Sequence, residues 1–256
     1  MKISATIITF NEEENIGDCI DSLKEVADEI IVVDSFSTDA TEKICVEKNV
    51  NFIQHKFEGH IEQKNFATQQ AANNFVLSLD ADERLSDELK KEILDCFDRL
   101  PTNTSGQVSL TSDAFIMNRL NNYCGKWIAH GVWYPDRKIR LWNKQKGKWG
   151  GTNPHDKVVM DKNTTVKSLT GNILHYTVRT PEQYKLQMEK FSTIAAASML
   201  LEGKKSSLIK AYSAGAFAFV RSYILRAGFL DGSAGYQIAI GYAQYTRMKY
   251  EKMLKK

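Results

Sequence analysis

The chain has 256 residues, 43 % of them hydrophobic and 25 % charged, with a formal net charge of +3. That length holds one large α/β domain, or a domain with an elaborated tail. The composition excludes a disordered or collagen-like chain, and so small a net charge argues against a nucleic-acid partner.

Ile3–Thr9 is a short β-branched run of the kind that forms a buried parallel strand. Asn11 reads as an N-cap, with Glu12, Glu13 and Glu14 in the first turn of the following helix, where the dipole favours acids. Glu29–Asp34 reads as a second strand ending on a carboxylate, and Ser37, Thr38 and Asp39 as the cap of a helix running to about Lys48. Residues 50–54 predict a third strand. A helix rich in Gln, Asn and Ala over 61–73 leads to a fourth, Phe75–Asp80, and Ser86 caps the next helix with Asp87 and Glu88 in its first turn. The β-α-β-α-β-α-β order predicts an α/β fold with a doubly wound parallel sheet.

Residues 101–106 are loop-like. Over 107–178, extended segments interrupted by Gly and Trp predict mixed strands and long loops folded back onto the sheet. Thr180-Pro181-Glu182-Gln183 is a strong helix start, with Pro at the first helical position and Thr and Gln in capping-box spacing. From there to Lys256 the chain reads as mostly helical, broken near Gly203 and Gly232. The expected organisation is one domain over 1–180, divided near residue 105 where the pattern changes, then a helical extension over 181–256.

The extension is basic. From Lys204 onward ten Lys and Arg face two acids, Asp231 and Glu251, a balance of +8 that leaves −5 for the rest. A membrane surface is one anionic neighbour that would suit such a tail, and a solvated helix face is the plainer reading. Phe217, Phe219, Val220, Tyr223, Ile224 and Leu225, with Arg221 and Arg226, have the make-up of an interfacial helix; packing on the catalytic domain accounts for them equally well. No apolar run reaches the roughly 18 residues a spanning helix needs. The first residues lack the pattern of a signal peptide, and the four cysteines (Cys19, Cys45, Cys96, Cys124) lie far apart, as reduced and mostly buried thiols would. The expectation is a cytoplasmic protein, peripheral at most on the inner membrane.

Ligands of open parallel sheets bind at the carboxyl ends of the strands. Three predicted strand ends carry polar residues: Thr9 to Asn11, Asp34, and Asp80-Ala81-Asp82. Neither a G-x-G-x-x-G turn nor a P-loop follows the first strand, so a nucleotide has to be held by side chains, and Asp34 is placed to accept from a base or ribose. An isolated D-x-D is a weak signal. At the end of a buried strand, opposite two other polar strand ends, the pair suits a hard divalent cation, Mg²⁺ or Mn²⁺, shared with phosphate oxygens. Asp82 as a cap of the next turn is the alternative.

Ile7 to Glu13, Val32 to Asp39, Gln63-Lys64-Asn65-Phe66-Ala67 and Leu77 to Glu83 resemble the successive motifs of family 2 glycosyltransferases with the GT-A fold. The run from Cys124 to Asp136, then Arg140-Leu141-Trp142, Leu174-His175-Tyr176 and Gly228-Phe229-Leu230-Asp231-Gly232, is similar to the bacterial subgroup that includes lipopolysaccharide-core β-1,4-glucosyltransferases. The resemblance covers nearly the whole chain. It implies a mixed GT-A sheet as the catalytic domain over 1–180, with a nucleotide-sugar-binding half (1–105), an acceptor-side half (106–180) and a C-terminal helical extension. The implied donor is a nucleotide-diphosphate sugar (a UDP-sugar), and the acceptor a glycan or glycolipid receiving a hexose such as glucose. By that resemblance Thr9, Asn11 and Glu12 border the base, Asp34 holds the nucleoside and Lys64 faces donor phosphate. Asp80 touches ribose or metal, Asp82 binds metal, and His175 completes the metal shell. For Lys64 a solvated helix lysine, and for His175 a structural histidine, remain open.

An inverting transfer needs a general base for the acceptor hydroxyl. Asp156, where the subgroup carries a Glu after His, is the first choice, one methylene shorter in reach; Asp136 after Pro135 is the second, with a plain turn residue as its alternative. Trp127, Trp133 and Tyr134 suit stacking on an acceptor sugar, or a small core under a long loop. Two rival functions share the pattern: a sugar-nucleotide-binding protein without turnover, and a nucleotidyltransferase. The latter wants a basic, Gly-rich first loop where this chain has Asn11-Glu12-Glu13-Glu14.

Overall fold

A computed structural model describes residues 1–98, 112–152 and 155–254; the loop-like stretch expected at 101–106, together with Asn153 and Pro154, lies outside them. Strands β1 (Ile3–Thr9), β2 (Glu29–Asp34), β3 (Asn51–Gln54) and β4 (Phe75–Asp80) are parallel, side by side in the order β3-β2-β1-β4. Successive side chains of a strand point to opposite faces, and both faces here are covered. Val32, Phe75 and Leu77 pack with Ile16, Ile20 and Leu23 of helix α1 (Ile16–Leu23), while Ile31, Val33 and Val76 pack with Ala67 and Ala71 at helix α3 (His60–Gln70). Between them, α2 (Thr41–Glu47) links β2 to β3.

After the short β5 (Glu83–Leu85) and α4 (Asp87–Asp98), the chain adds antiparallel strands: β6 (Ala114–Tyr123), β7 (Lys126–Ile128), β8 (Arg137–Asn143) and β11 (Val166–Val178). The whole path runs β3-β2-β1-β4-β8-β6-β11-β5, with β7 on β6, and β9 (Gly147–Thr152) pairs with β10 (His155–Met160) as a separate hairpin. This parallel half joined to an antiparallel half is the GT-A arrangement that the resemblance implied. The helix starts follow local chemistry. Ser86 accepts from the Leu89 amide at 3.2 Å, and α4 then lies so close on β11 that a Cβ at Gly171 would sit 2.5 Å from the Leu89 backbone.

Two expected helix starts are corrected: α2 begins at Thr41 with Ala40 at the cap position, not Ser37, Thr38 or Asp39, and α1 begins later than expected. Asn11 takes a left-handed conformation (φ 53°) and α1 begins only at Ile16, so the acid of its first turn is Asp18 and not Glu12, Glu13 or Glu14. The tertiary reason is that the two loops after β1 and β2 bond to each other. The Asn11 amide donates to Ser37 Oγ at 2.8 Å and Asn11 Oδ1 accepts from the Thr38 amide at 2.8 Å; Glu13 Oε2 accepts from the Ala40 amide at 2.8 Å. Of the cysteines, Cys19 and Cys45 are buried and Cys96 is half-buried, while Cys124 departs from the expectation and is exposed.

Contacts divide the chain into two units, Met1–Arg119 with Arg137–His175, and Leu120–Asp136 with Tyr176–Lys256. The second contains α5 (Pro181–Leu201), α6 (Leu208–Val220), a π turn (Arg221–Leu225), a 3₁₀ turn (Gly228–Asp231) and α7 (Gly232–Lys252). Its core is Tyr123, Ile128, Val178, Tyr184, Ala234 and Ile238. The capping box at Thr180 forms as the sequence predicts, with Gln183 returning to the cap. No helix among the described residues is long and apolar enough to cross a membrane.

Candidate active site

The first unit gathers charge at the carboxyl end of β4. Helix α3 turns an unusual set inward, Gln63, Lys64, Ala67 and Thr68, so three polar side chains are buried where an amphipathic helix would place apolar ones. Gln63 and Lys64 both have side-chain partners. Gln63 Nε2 donates to Ser35 Oγ at 3.1 Å, and the Lys64 ammonium lies 2.8 Å from Asp80 Oδ1 and 2.7 Å from Asp156 Oδ2. On β8, Arg140 reaches Asp80 Oδ2 at 3.1 Å and Glu83 Oε1 at 2.9 Å, and Arg119 of β6 closes on the same Glu83 oxygen at 3.1 Å. The result is one alternating chain: Asp156, Lys64, Asp80, Arg140, Glu83, Arg119.

Three carboxylates meet three cations, which is how such charges are tolerated where water is scarce. Glu83 is fully buried and also accepts from the Asp80 amide at 3.0 Å, fixing the turn that carries the acids. Burial alone would raise the Asp80 carboxyl; the Lys64 ammonium and the Arg140 guanidinium more than offset it and hold that group well below the usual carboxylate range. Burial likewise opposes the charge on Arg140, but Glu83 and Asp80 outweigh it and raise the guanidinium above its ordinary value. Trp149 forms an aromatic floor, 4.5 Å from the Lys64 ammonium and 5.3 Å from the Arg140 guanidinium, each measured to the ring centroid.

Asp82 stands apart from this chain and pairs instead with His175. The antiparallel register of β5 on β11 puts His175 opposite Glu83, and its Nε2 lies 3.1 Å from Asp82 Oδ2. Among the described residues no three His, Cys, Asp or Glu side chains are gathered as a metal-binding group. The Asp82–His175 pair nevertheless offers an oxygen and a nitrogen at the separation of adjacent ligands on an ion with bonds of about 2.1 Å.

The structure brings Lys64, Asp80, Asp82, Asp156 and His175 into one region of the first unit. The residues expected around the nucleoside lie at the ends of β1 and β2. Thr9 is buried with its hydroxyl unpartnered among the described residues; Asn11 and Glu12 belong to the interlocked loops, Glu12 accepting from Asn15 Nδ2 at 2.7 Å. Asp34 is fully buried and takes both the amide (2.8 Å) and the hydroxyl of Ser37.

Trp127, Trp133, Tyr134 and Asp136 belong to the second unit. Trp127 packs edge-on against Tyr176 at 5.1 Å; Trp133 packs edge-on against Tyr184 at 5.6 Å and lies beside that unit's core. Tyr134 and Asp136 are half-buried, on either side of Pro135. Sequence reasoning missed Glu83, Arg119 and Arg140. A signal was present: Arg140 interrupts the apolar run Ile139, Leu141, Trp142, and a charge inside a buried strand needs a buried partner.

The family model for glycosyl transferase family 2 matches residues 4–160, which span all of these first-unit residues except His175. The chain belongs to this family. A curated glycosyltransferase of Rickettsia typhi, itself uncharacterised, is 31% identical over 96% of this chain and 85% of its own length. The lipopolysaccharide core biosynthesis glycosyltransferase LpsC of Rhizobium meliloti is 27% identical over 99% of this chain and 92% of LpsC. Among solved structures, S. aureus TarS (residues 1–349) aligns over 100% of this chain and 92% of TarS at 15% identity, with a TM-score of 0.46. Glucosyl-3-phosphoglycerate synthase of Mycobacterium tuberculosis, solved with Mn²⁺, UDP and glucosyl-3-phosphoglycerate, aligns over 47% of this chain and 44% of that one at 21% identity and a TM-score of 0.35. This glycosyltransferase thus matches both curated relatives over most of their length.

Proposed function

We propose that the chain is an inverting hexosyltransferase, moving a sugar such as glucose from a UDP-sugar to a hydroxyl of a cell-surface glycan or lipid-linked acceptor. The observation that carries this is the alternating charge chain ending on Asp156, with the Asp82–His175 pair alongside. The likeness to LpsC supports lipopolysaccharide or another envelope polysaccharide as the setting. In this reading the catalytic domain spans 1–180 and the helices beyond it form an extension that meets the cytoplasmic face of the inner membrane.

Donor binding falls to the strand ends. Thr9, Asn11, Glu12 and Asp34 border the nucleoside, and Asp80 faces ribose or metal. Lys64 and Arg140 supply the positive charge that a diphosphate needs, and Arg140 has two buried N–H groups, at Nε and Nη1, without a partner among the described residues. Asp82 and His175 would hold a divalent cation, Mn²⁺ or Mg²⁺, which when bound neutralises charge on the departing diphosphate.

The acceptor oxygen attacks the anomeric carbon from the face opposite the diphosphate, the bond from that carbon to the phosphate oxygen breaks, and Asp156 takes the hydroxyl proton. Lys64 keeps the Asp156 carboxylate in place in the resting state and turns to the donor phosphate when it arrives. Asp136 is the second candidate for the base, and Trp127, Trp133 and Tyr134 are the acceptor-side aromatics.

A panel of nucleotide sugars tests the proposal through metal-dependent release of nucleotide. The expected outcome is release from a UDP-hexose that chelation stops and Mn²⁺ restores, and that Asp82→Ala abolishes in a folded protein. Undiminished turnover by Asp82→Ala would remove the metal assignment.

A further inference from the structure

Around α6 and the turns that follow it, the second unit buries small residues and leaves large ones outside. On α6 the buried positions are Ala211, Gly215 and Ala218, while Leu208, Ile209, Tyr212 and Phe217 of the same helix are exposed. A water-soluble helix does the reverse, since burying large apolar side chains is what stabilises it. At the end of α6 the chain folds through the π turn and the 3₁₀ turn into a knuckle. Its outer side chains are Ile224 (55% exposed), Leu225 (66%), Phe229 (49%) and Leu230 (60%). Aromatic rings brace it: Tyr223 lies 5.3 Å from Phe219, 6.2 Å from Phe229 and 5.6 Å from Tyr236 between centroids. Four large apolar side chains held outward on a braced turn form a patch, not a scatter of single exposed residues.

Charge names the occupant. Arg221 and Arg226 flank the knuckle and are both exposed. Between Lys204 and Tyr250 the one acid in the sequence is Asp231. It is withdrawn from the surface: its carboxylate accepts from the His130 amide at 2.9 Å and from His130 Nδ1 at 3.0 Å, and it is 5% exposed. The knuckle is therefore apolar at its tip, and the charges its own segment exposes beside that tip are Arg221 and Arg226. That pairing matches the acyl and anionic headgroup layers of a phospholipid surface, with long Arg side chains reaching back to the headgroups. No helix among the described residues is long and apolar enough to cross the bilayer, so the contact is with one leaflet.

We propose that the knuckle formed by Ile224, Leu225, Phe229 and Leu230, rimmed by Arg221 and Arg226, inserts into the interface of an anionic phospholipid membrane. This deepens the reading of a membrane-side acceptor and rests on it only for its biological purpose, since the lipid contact is measured without turnover. The full-length protein is floated with vesicles of phosphatidylethanolamine and phosphatidylglycerol, and with vesicles of phosphatidylcholine alone. Binding is expected to the anionic vesicles and to weaken in high salt. Arg221→Gln with Arg226→Gln should lower partitioning about fivefold per residue. Ile224→Asp with Leu225→Asp should lower it by roughly tenfold or more.

Nucleotide release from the soluble donor, followed in the same samples, should be unchanged in both variants, so a failure of the lipid contact is distinguished from a failure of the enzymatic reading. Should the aspartate pair unfold the protein, the glutamine pair carries the test. Absence of vesicle binding by the folded wild-type protein overturns the proposal, as does binding that neither variant alters. Sedimentation without lipid as a stable dimer that Leu225→Asp dissociates overturns it in favour of a contact between two copies of the chain.

Discussion

The two units solve the same packing problem in opposite ways. In the first, large aliphatic side chains fill both faces of a parallel sheet, Leu77, Leu79, Ile16 and Ile20 among them, and even the charges at the strand ends are matched into a closed chain. In the second, large residues such as Tyr184 and Ile238 fill a smaller core, but α6 buries alanine and glycine, a Cβ at Gly235 would sit 1.9 Å from the Gly228 carbonyl oxygen, and Leu208, Ile209, Phe217, Ile224 and Leu225 are left outside. A core built of large residues stabilises through the area it removes from water. A bundle packed on small residues gains less from burial and has its large side chains available for another surface. The same chain thus separates the part that holds charges in fixed geometry from the part that offers apolar area.

The largest expected effect tests whether the charge chain is catalytic. Asp156→Asn keeps shape and hydrogen bonding but cannot take up a proton at neutral pH. Transfer should fall by roughly 10² to 10⁴ while donor affinity, measured by nucleotide titration, survives. Asp136→Asn should act more weakly, and mainly on acceptor affinity. The opposite ranking assigns the base to the second unit.

Next in size is a contrast in stability. Arg140→Met leaves Asp80 and Glu83 without their shared cation and should cost about 3–5 kcal/mol, read as a lowered midpoint in denaturant. Ile209→Ser, on the exposed side of α6, should stay within about 0.5 kcal/mol. Equal losses would mean that the second unit depends on its outer apolar residues as the first depends on its inner charges.

The smallest effect concerns the seam of α4 on β11, where Glu92 accepts from the amides of Thr170 at 2.8 Å and Gly171 at 3.0 Å and from the Thr170 hydroxyl. Burial pushes this carboxyl up, but the Thr170 hydroxyl and the two amides outweigh it and lower its proton affinity. A depressed carboxyl stabilises the fold above its unfolded value, about 4.3, and that contribution is lost as pH falls through the folded value. Glu92→Gln should therefore be less stable than wild type at neutral pH, and the gap should close in acid. A gap that persists in acid would show that the seam is held by shape and not by charge.

Local patterns carried the parallel half. The strand segments Ile3–Thr9, Glu29–Asp34 and Phe75–Asp80, the Ser86 cap and the Thr180 capping box depend on residues near in sequence, so periodicity and cap chemistry were enough to place them. The family was legible too, because its motifs sit at strand ends in a fixed order. Asn11 was misread because its partners, Ser37 and Thr38, lie 26 and 27 residues away, and no local preference announces a loop tied to another loop.

Composition also determined that the tail is basic and poor in acids, and that its apolar residues are interrupted by charge. Which of those residues face outward was a tertiary outcome: Phe219 and Tyr223 turned in to brace the knuckle, while Ile224 and Leu225 stayed out. The same holds at the site. Lys64, Asp80, Asp82, Asp156 and His175 could be nominated from the sequence, but their partners could not. Lys64 meets Asp156 across 92 positions, and Asp82 meets His175 across 93. A charge announces in sequence that it needs a partner; only the register of strands and the crossing of α3 over the sheet decide which one it gets.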